Sequence, residues 1–170
     1  MNTLIRFRKE KDEFFNNDHH SPLTHEQQHV FTGLKYFPEN PDLRLDVKIE
    51  EFPEKQTVTM QTSTGSIQEY LRFGRFQFTV DGNQTELTIY ENDQEYFLPF
   101  ADALAGKDTY GAGRYLEPHR LPNGNFLIDF NYAYNPYCAY NPRWSCPIPP
   151  AENRVKVPIR AGEKIFSDHY

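Results

Sequence analysis

From Leu43 onward the hydrophobic period of the chain changes to two, and this alternation constrains the fold more than any other feature. Leu45, Val47 and Ile49 alternate with Asp46, Lys48 and Glu50, and Phe76, Phe78 and Val80 alternate with Gln77 and Thr79. Strands with one buried face have this pattern. Further strands are predicted at residues 57–62, 67–73, 87–90, 96–100, 115–119, 126–132 and 155–159, the last confined to a sheet edge by Pro158. Asp81-Gly82 and Asn123-Gly124 are hairpin signals. About eight strands at such regular spacing predict a mainly β fold, either an antiparallel barrel or a sandwich.

Before Leu43 the period is helical. Leu4, Phe7, Phe14 and Phe15 recur among charges at roughly helical spacing, and the polar run Asn16-Asn17-Asp18-His19-His20 ends that helix. Thr24 followed by Gln27 has the form of a capping box for a second short helix, which Gly33 and Pro38 stop. The chain of 170 residues is long enough for one domain with a real core. It divides into a helical segment (1–42), a β core (43–132), a loop (133–150), and an edge strand with tail (151–170).

Charge excludes several classes of partner. Eighteen Lys and Arg stand against twenty-four Asp and Glu, whereas a nucleic-acid binder or a polybasic membrane-surface protein concentrates positive charge. No apolar run reaches the ~18 residues of a membrane span or the length of a signal peptide. A cytoplasmic protein is therefore expected; oligomeric state is left open.

Residues 133–150 break the rhythm with five prolines, both cysteines and a single charge, Arg143. Their aromatic content argues against disorder. The segment fits either a functional loop or a wrapping that covers one end of the β core.

The motifs Thr109-Tyr-Gly-Ala-Gly-Arg-Tyr-Leu116 and Ile128-Asp-Phe-Asn-Tyr-Ala-Tyr-Asn-Pro136 form two central blocks. Cys138-Ala-Tyr140, Cys146-Pro-Ile-Pro-Pro150, Glu152-Asn-Arg154 and Ala161-Gly-Glu163 continue the pattern. Together they resemble the bacterial and archaeal family known as domain of unknown function 1684. The resemblance extends to Ser21-Pro22-Leu23, Gly33-Leu34 and Phe97-Leu-Pro-Phe100. It implies a self-standing domain and brings no catalytic role with it.

Three motifs bear on chemistry. His25-Glu26-Gln27-Gln28-His29 is a literal H-E-x-x-H, the pattern of zinc proteases. Its helix is curtailed by Gly33 and Pro38, and Lys35 stands where the extended form has a third histidine, so a solvated turn is expected and no metal. Cys138 and Cys146 have seven residues between them, which suits neither a thioredoxin-type pair nor a complete zinc site. Two reduced, slowly reacting thiols with raised pKa are expected there. Gly111-Ala112-Gly113 lacks the Lys-Ser or Lys-Thr pair of a phosphate loop and reads as a turn entering a strand.

Asp129 and Asn131 share one face of the predicted strand 126–132 and, with Arg114, are expected to converge on one concave site walled by residues 133–150. Tyr110, Tyr132 and Tyr134 would supply flat walls with hydroxyl tips. The same polar residues would equally serve to hold the long loop. The leading expectation is a β domain that binds a small polar or anionic molecule without a cofactor. A hydrolase or thiol-dependent enzyme, built on His25/His29 or Cys138/Cys146, and a protein-interaction module are the alternatives.

Overall fold

The computed structural model describes residues 2–93 and 95–167. Helix α1 (Thr3–Asn17) is capped by the Asn2 side chain, and α2 (His25–Val30) carries the capping box of Thr24 and Gln27. Nine strands follow among the described residues: β1 (Arg44–Val47), β2 (Glu50–Glu51), β3 (Thr57–Gln61), β4 (Ile67–Val80), β5 (Asn83–Asn92), β6 (Glu95–Phe100), β7 (Arg114–Leu116), β8 (His119–Arg120) and β9 (Phe126–Asp129). They form two antiparallel sheets, one ordered β1-β9-β8, the other β2-β4-β5-β6-β7 with β3 also paired to β4. Among the described residues the pairings do not close into a barrel.

The core joins the two sheets. Phe76, Phe78, Leu87, Ile89, Leu98 and Phe100 of the larger sheet share one apolar cluster with Phe126 and Ile128 of β9. Phe130 seals it, its ring 5.3 Å from those of both Phe78 and Phe100. Asp81 and Gly82 both take positive φ between β4 and β5, as a two-residue type I′ turn requires.

Several predicted boundaries move, each for a local reason. The strands expected at 67–73 and 76–80 are one strand, β4, whose register shifts at a bulge between Arg72 and Gly74. The strand expected at 115–119 is two: β7 pairs with β6, β8 pairs with β9, and Pro118, which has no N–H to donate, lies between them. The chain thus leaves the larger sheet and enters the smaller one across Glu117-Pro118. The strand expected at 126–132 ends at Asp129, whose side chain caps a 3-10 turn at Phe130–Tyr132. Asp129 and Asn131 therefore do not share a strand face. Residues 155–159 make no ladder; Val155 N–H donates to the Ala101 carbonyl and Ala103 N–H to that of Val157.

α1 docks through a stripe that is charged in its middle. Leu4 and Phe15 are buried, whereas Phe7 and Phe14 are exposed. Between the buried pair, Arg8 donates to the carbonyls of Phe37 and Asn131, and Lys11 pairs with buried Glu163. Phe15 packs with Leu23, Leu34 and Tyr140, so the 133–150 loop lies over the helical segment.

Two buried side chains splice irregular backbone into this frame. Asn153, fully buried, accepts from Thr88 N–H at 2.9 Å and donates to the carbonyls of Thr88 and Pro99, each at 2.8 Å. It bonds both strands beyond the point where β5 and β6 stop pairing, next to a proline that cannot donate. Arg114, 1 % exposed, donates to the carbonyls of Ile159, Ala161 and Glu163, with Asp102 3.7 Å away. Gly162 at φ +78° shapes that carbonyl cradle, and a Cβ there would lie 2.6 Å from the Ala133 carbonyl oxygen.

Asn153→Leu is expected to lower unfolding free energy by about 2–5 kcal/mol, because three main-chain groups lose their partners in a dry core. Gly162→Ala is expected to cost at least about 2 kcal/mol from left-handed backbone and steric overlap. Equilibrium denaturation checks both, with exposed Asn83→Ala as a control that should stay within about 0.5 kcal/mol.

Candidate functional site

The sheet-to-sheet crossing at Glu117-Pro118 opens a cleft of about 230 Å³, lined by Arg44, Leu116, Glu117, His119, Leu127, Asp129 and Tyr132. Leu116 at the end of β7 and Leu127 on β9 give it an apolar floor. Glu117 follows Leu116 on a segment that Pro118 keeps out of either ladder. Its carboxylate accepts the Tyr134 hydroxyl at 2.6 Å. Glu117 also borders two neighbouring depressions, one of about 290 Å³ with Tyr70, Tyr115 and Tyr134, the other of about 350 Å³ with Glu95 and Arg120.

Electrostatics set Glu117 apart. Glu117 is exposed at the cleft mouth, but the protein around its carboxyl takes away part of its hydration and raises its pKa, against the opposing effects of Tyr134, His119 and Lys11. Across the cleft, Asp129 pairs with Arg44 at 3.3 Å and accepts from the Asn131 N–H and side chain. Burial, followed by the Asp129 charge, raises the Tyr132 hydroxyl. A larger hollow of about 400 Å³ lies at Thr57, Glu69, Leu71 and Glu91, but most of its lining residues are exposed.

The six residues singled out in the sequence fall into four places. Asp129 and Tyr132 line the cleft, and Tyr134 reaches it through Glu117. Asn131 turns away to exchange two hydrogen bonds with the backbone of Asn40, at 2.8 and 2.9 Å. Arg114 is enclosed by main-chain carbonyls, and burial pushes its pKa down to about 10, still leaving it charged at neutral pH. It makes no ion pair with Asp129, whose guanidinium partner is Arg44. Tyr110 stands elsewhere, its hydroxyl 3.7 Å from Cys138 Sγ. Arg44 and Glu117 were not singled out in the sequence, although Pro118 inside an apparent strand was a usable sign of the break that exposes Glu117.

The two cysteines are free and adjacent: Cys138 N–H donates to Cys146 Sγ at 3.2 Å. Their environments differ, contrary to the shared rise expected from an apolar loop. The Cys146 thiol donates to half-buried Cys138 and draws its pKa below the ordinary thiol value, while the proton it holds there and its burial push Cys146 up. His25 and His29 are exposed on a six-residue helix, and it is Gln28 that faces α1, donating to the carbonyls of Phe15 and Asp18. Asp18, His19 and His20 bring ligand atoms within 4.8 Å of one another; both histidines are exposed. No helix among the described residues is long and apolar enough to cross a membrane.

An uncharacterised protein of Haloarcula marismortui, solved by solution NMR, is 34% identical, with a TM-score of 0.70 over 95% of this chain and 91% of its own. No curated protein matches. The model of a family described as protein of unknown function (DUF1684) matches residues 29–164, a span that includes the Arg114 cradle, Glu117, both cysteines and Asn153. The chain belongs to the DUF1684 family.

Proposed function

We propose that the protein binds a small polar organic molecule bearing a basic nitrogen, in the cleft at the sheet-to-sheet crossing. Glu117 carries this reading: an exposed carboxylate, fixed by the Tyr134 hydroxyl at 2.6 Å and with part of its hydration lost, borders three depressions at once. A carboxylate short of water gains from a cationic partner that replaces the lost solvation. Leu116, Leu127 and the Tyr132 ring suit the carbon body of such a ligand. At about 230 Å³ the cleft is below the ~300–1,000 Å³ of drug-sized sites and suits a metabolite-sized molecule. Of the polar or anionic ligand expected from the sequence, the polar part is kept: Arg114 is enclosed by main-chain carbonyls, and exposed Arg44 already pairs with Asp129.

Titration of isotope-labelled protein with benzylamine, agmatine and imidazole, followed by amide chemical shifts, tests this reading. The amides of residues 116–119 and 127–132 should move, and phosphate and benzoate should leave them in place. Glu117→Gln should weaken binding by at least about tenfold, or ~1.4 kcal/mol, without lowering the unfolding midpoint. Affinity should also fall as pH is lowered through the raised pKa of Glu117, since protonation removes the attracting charge. Equal shifts with the anions, or undiminished binding by Glu117→Gln, would overturn the proposal.

A further inference from the structure

A second group of reactive side chains lies away from the cleft, where the 133–150 loop meets the turn after β3. Cys138 sits in a 3-10 turn (Tyr137–Ala139), half-buried, and Cys146 is buried beneath it. Main-chain bonds fix the second sulfur's position: Cys146 N–H donates to the Ser63 hydroxyl at 3.1 Å, and Ser63 N–H donates to the Cys146 carbonyl at 3.0 Å. Cys138 N–H points at Cys146 Sγ from 3.2 Å, and the Tyr110 hydroxyl lies 3.7 Å from Cys138 Sγ. One cysteine is thus half-buried with a hydroxyl beside its sulfur, while its neighbour is buried. Sulfur chemistry uses this asymmetry when one thiol attacks and its neighbour resolves.

We propose that Cys138 is a peroxide-reactive cysteine and Cys146 its resolving partner, so that a hydroperoxide converts the pair to a disulfide. In the first step the Cys138 thiolate attacks the distal oxygen of the hydroperoxide. The O–O bond breaks, an S–O bond forms, sulfur loses two electrons, and the alkoxide or hydroxide leaves to take a proton from water. In the second step Cys146 sulfur attacks the Cys138 sulfenic acid; the S–S bond forms, and the departing hydroxide leaves as water with the Cys146 proton. The sum is two thiols and one hydroperoxide giving one disulfide, one alcohol (or water) and one further water. A small dithiol returns the pair to its starting state. The Cys146 thiol and the Tyr110 hydroxyl beside it draw the Cys138 pKa down, which supports the first step by keeping more of the thiol ionised.

The experiment treats the full chain with hydrogen peroxide at neutral pH and follows it by intact mass and peptide mapping. The expected result is a Cys138–Cys146 disulfide, reversed by dithiothreitol, formed at least about tenfold faster than free cysteine reacts. Dimedone should trap sulfenic acid on Cys138 early in the wild-type time course and persistently in Cys146→Ala. The early wild-type sample needs no variant, so a folding defect in Cys146→Ala does not blunt the test. A rate no faster than free cysteine, dimedone on Cys146 in place of Cys138, or over-oxidation of Cys138 without a disulfide would each overturn the proposal.

Discussion

The structure depends on one buried guanidinium. Arg114 begins β7, inside the core, and its donors hold the carbonyls of Ile159, Ala161 and Glu163. A charge so placed is costly unless the surroundings compensate it. Here the compensation comes from three main-chain dipoles and from Asp102, which also accepts Ile159 N–H and the Thr109 hydroxyl. Removing one member of such a set leaves an unmatched buried group, at a cost of ~3–5 kcal/mol. The irregular strap 159–164 therefore has a fixed course although it forms no strand.

That strap in turn gathers the rest of the chain. Glu163, next to Gly162, accepts Lys11 from α1, the Tyr140 hydroxyl and Asn135 N–H from the loop. Phe37 N–H donates to the Gly162 carbonyl, and Lys164 N–H to that of Lys35. Helix, loop, connecting segment and sheet are joined at one buried polar centre. Lys11, held there, also lies 4.9 Å from the ring of Tyr134, the residue that fixes Glu117. The cleft is thus built on the rim of the structural centre, where rigid neighbours hold a carboxylate in place at a gap between two sheets.

The two proposed chemistries occupy different parts of the same loop. Tyr134 at its start orients Glu117, while Cys138 and Cys146 farther along meet the Ser63 turn and Tyr110. A loop that packs on α1 through Tyr140, bridges Thr62 at Pro147 and pairs Tyr134 with Tyr115 does more than cover an open end. Its asparagine-proline repeats supply turns, and its aromatic rings supply the contacts that hold those turns down.

The sequence by itself determined what depends on neighbours along the chain. Alternation at Leu45–Val47 and Phe76–Val80, the two-residue turn at Asp81-Gly82 and the capping box at Thr24 and Gln27 are local, and each could be read from spacing. The family was legible in its motifs for the same reason. Tertiary structure decided which polar residues meet. Spacing placed Asp129 and Asn131 on one face, but the Asp129 side chain prefers to cap the next turn, which ends the strand between them. The helical period could not show that Arg8 and Lys11 belong to the docking stripe, because their partners are a main-chain carbonyl 123 positions away and a carboxylate 152 positions away. Arg114 was expected at one concave site with Asp129 and Asn131; folding surrounded it instead with carbonyls from a segment 45–49 residues downstream. Charge and hydrogen bonding act through space, so their outcome depends on the packing of distant segments, whereas hydrophobic period and turn chemistry act along the backbone and are written in it.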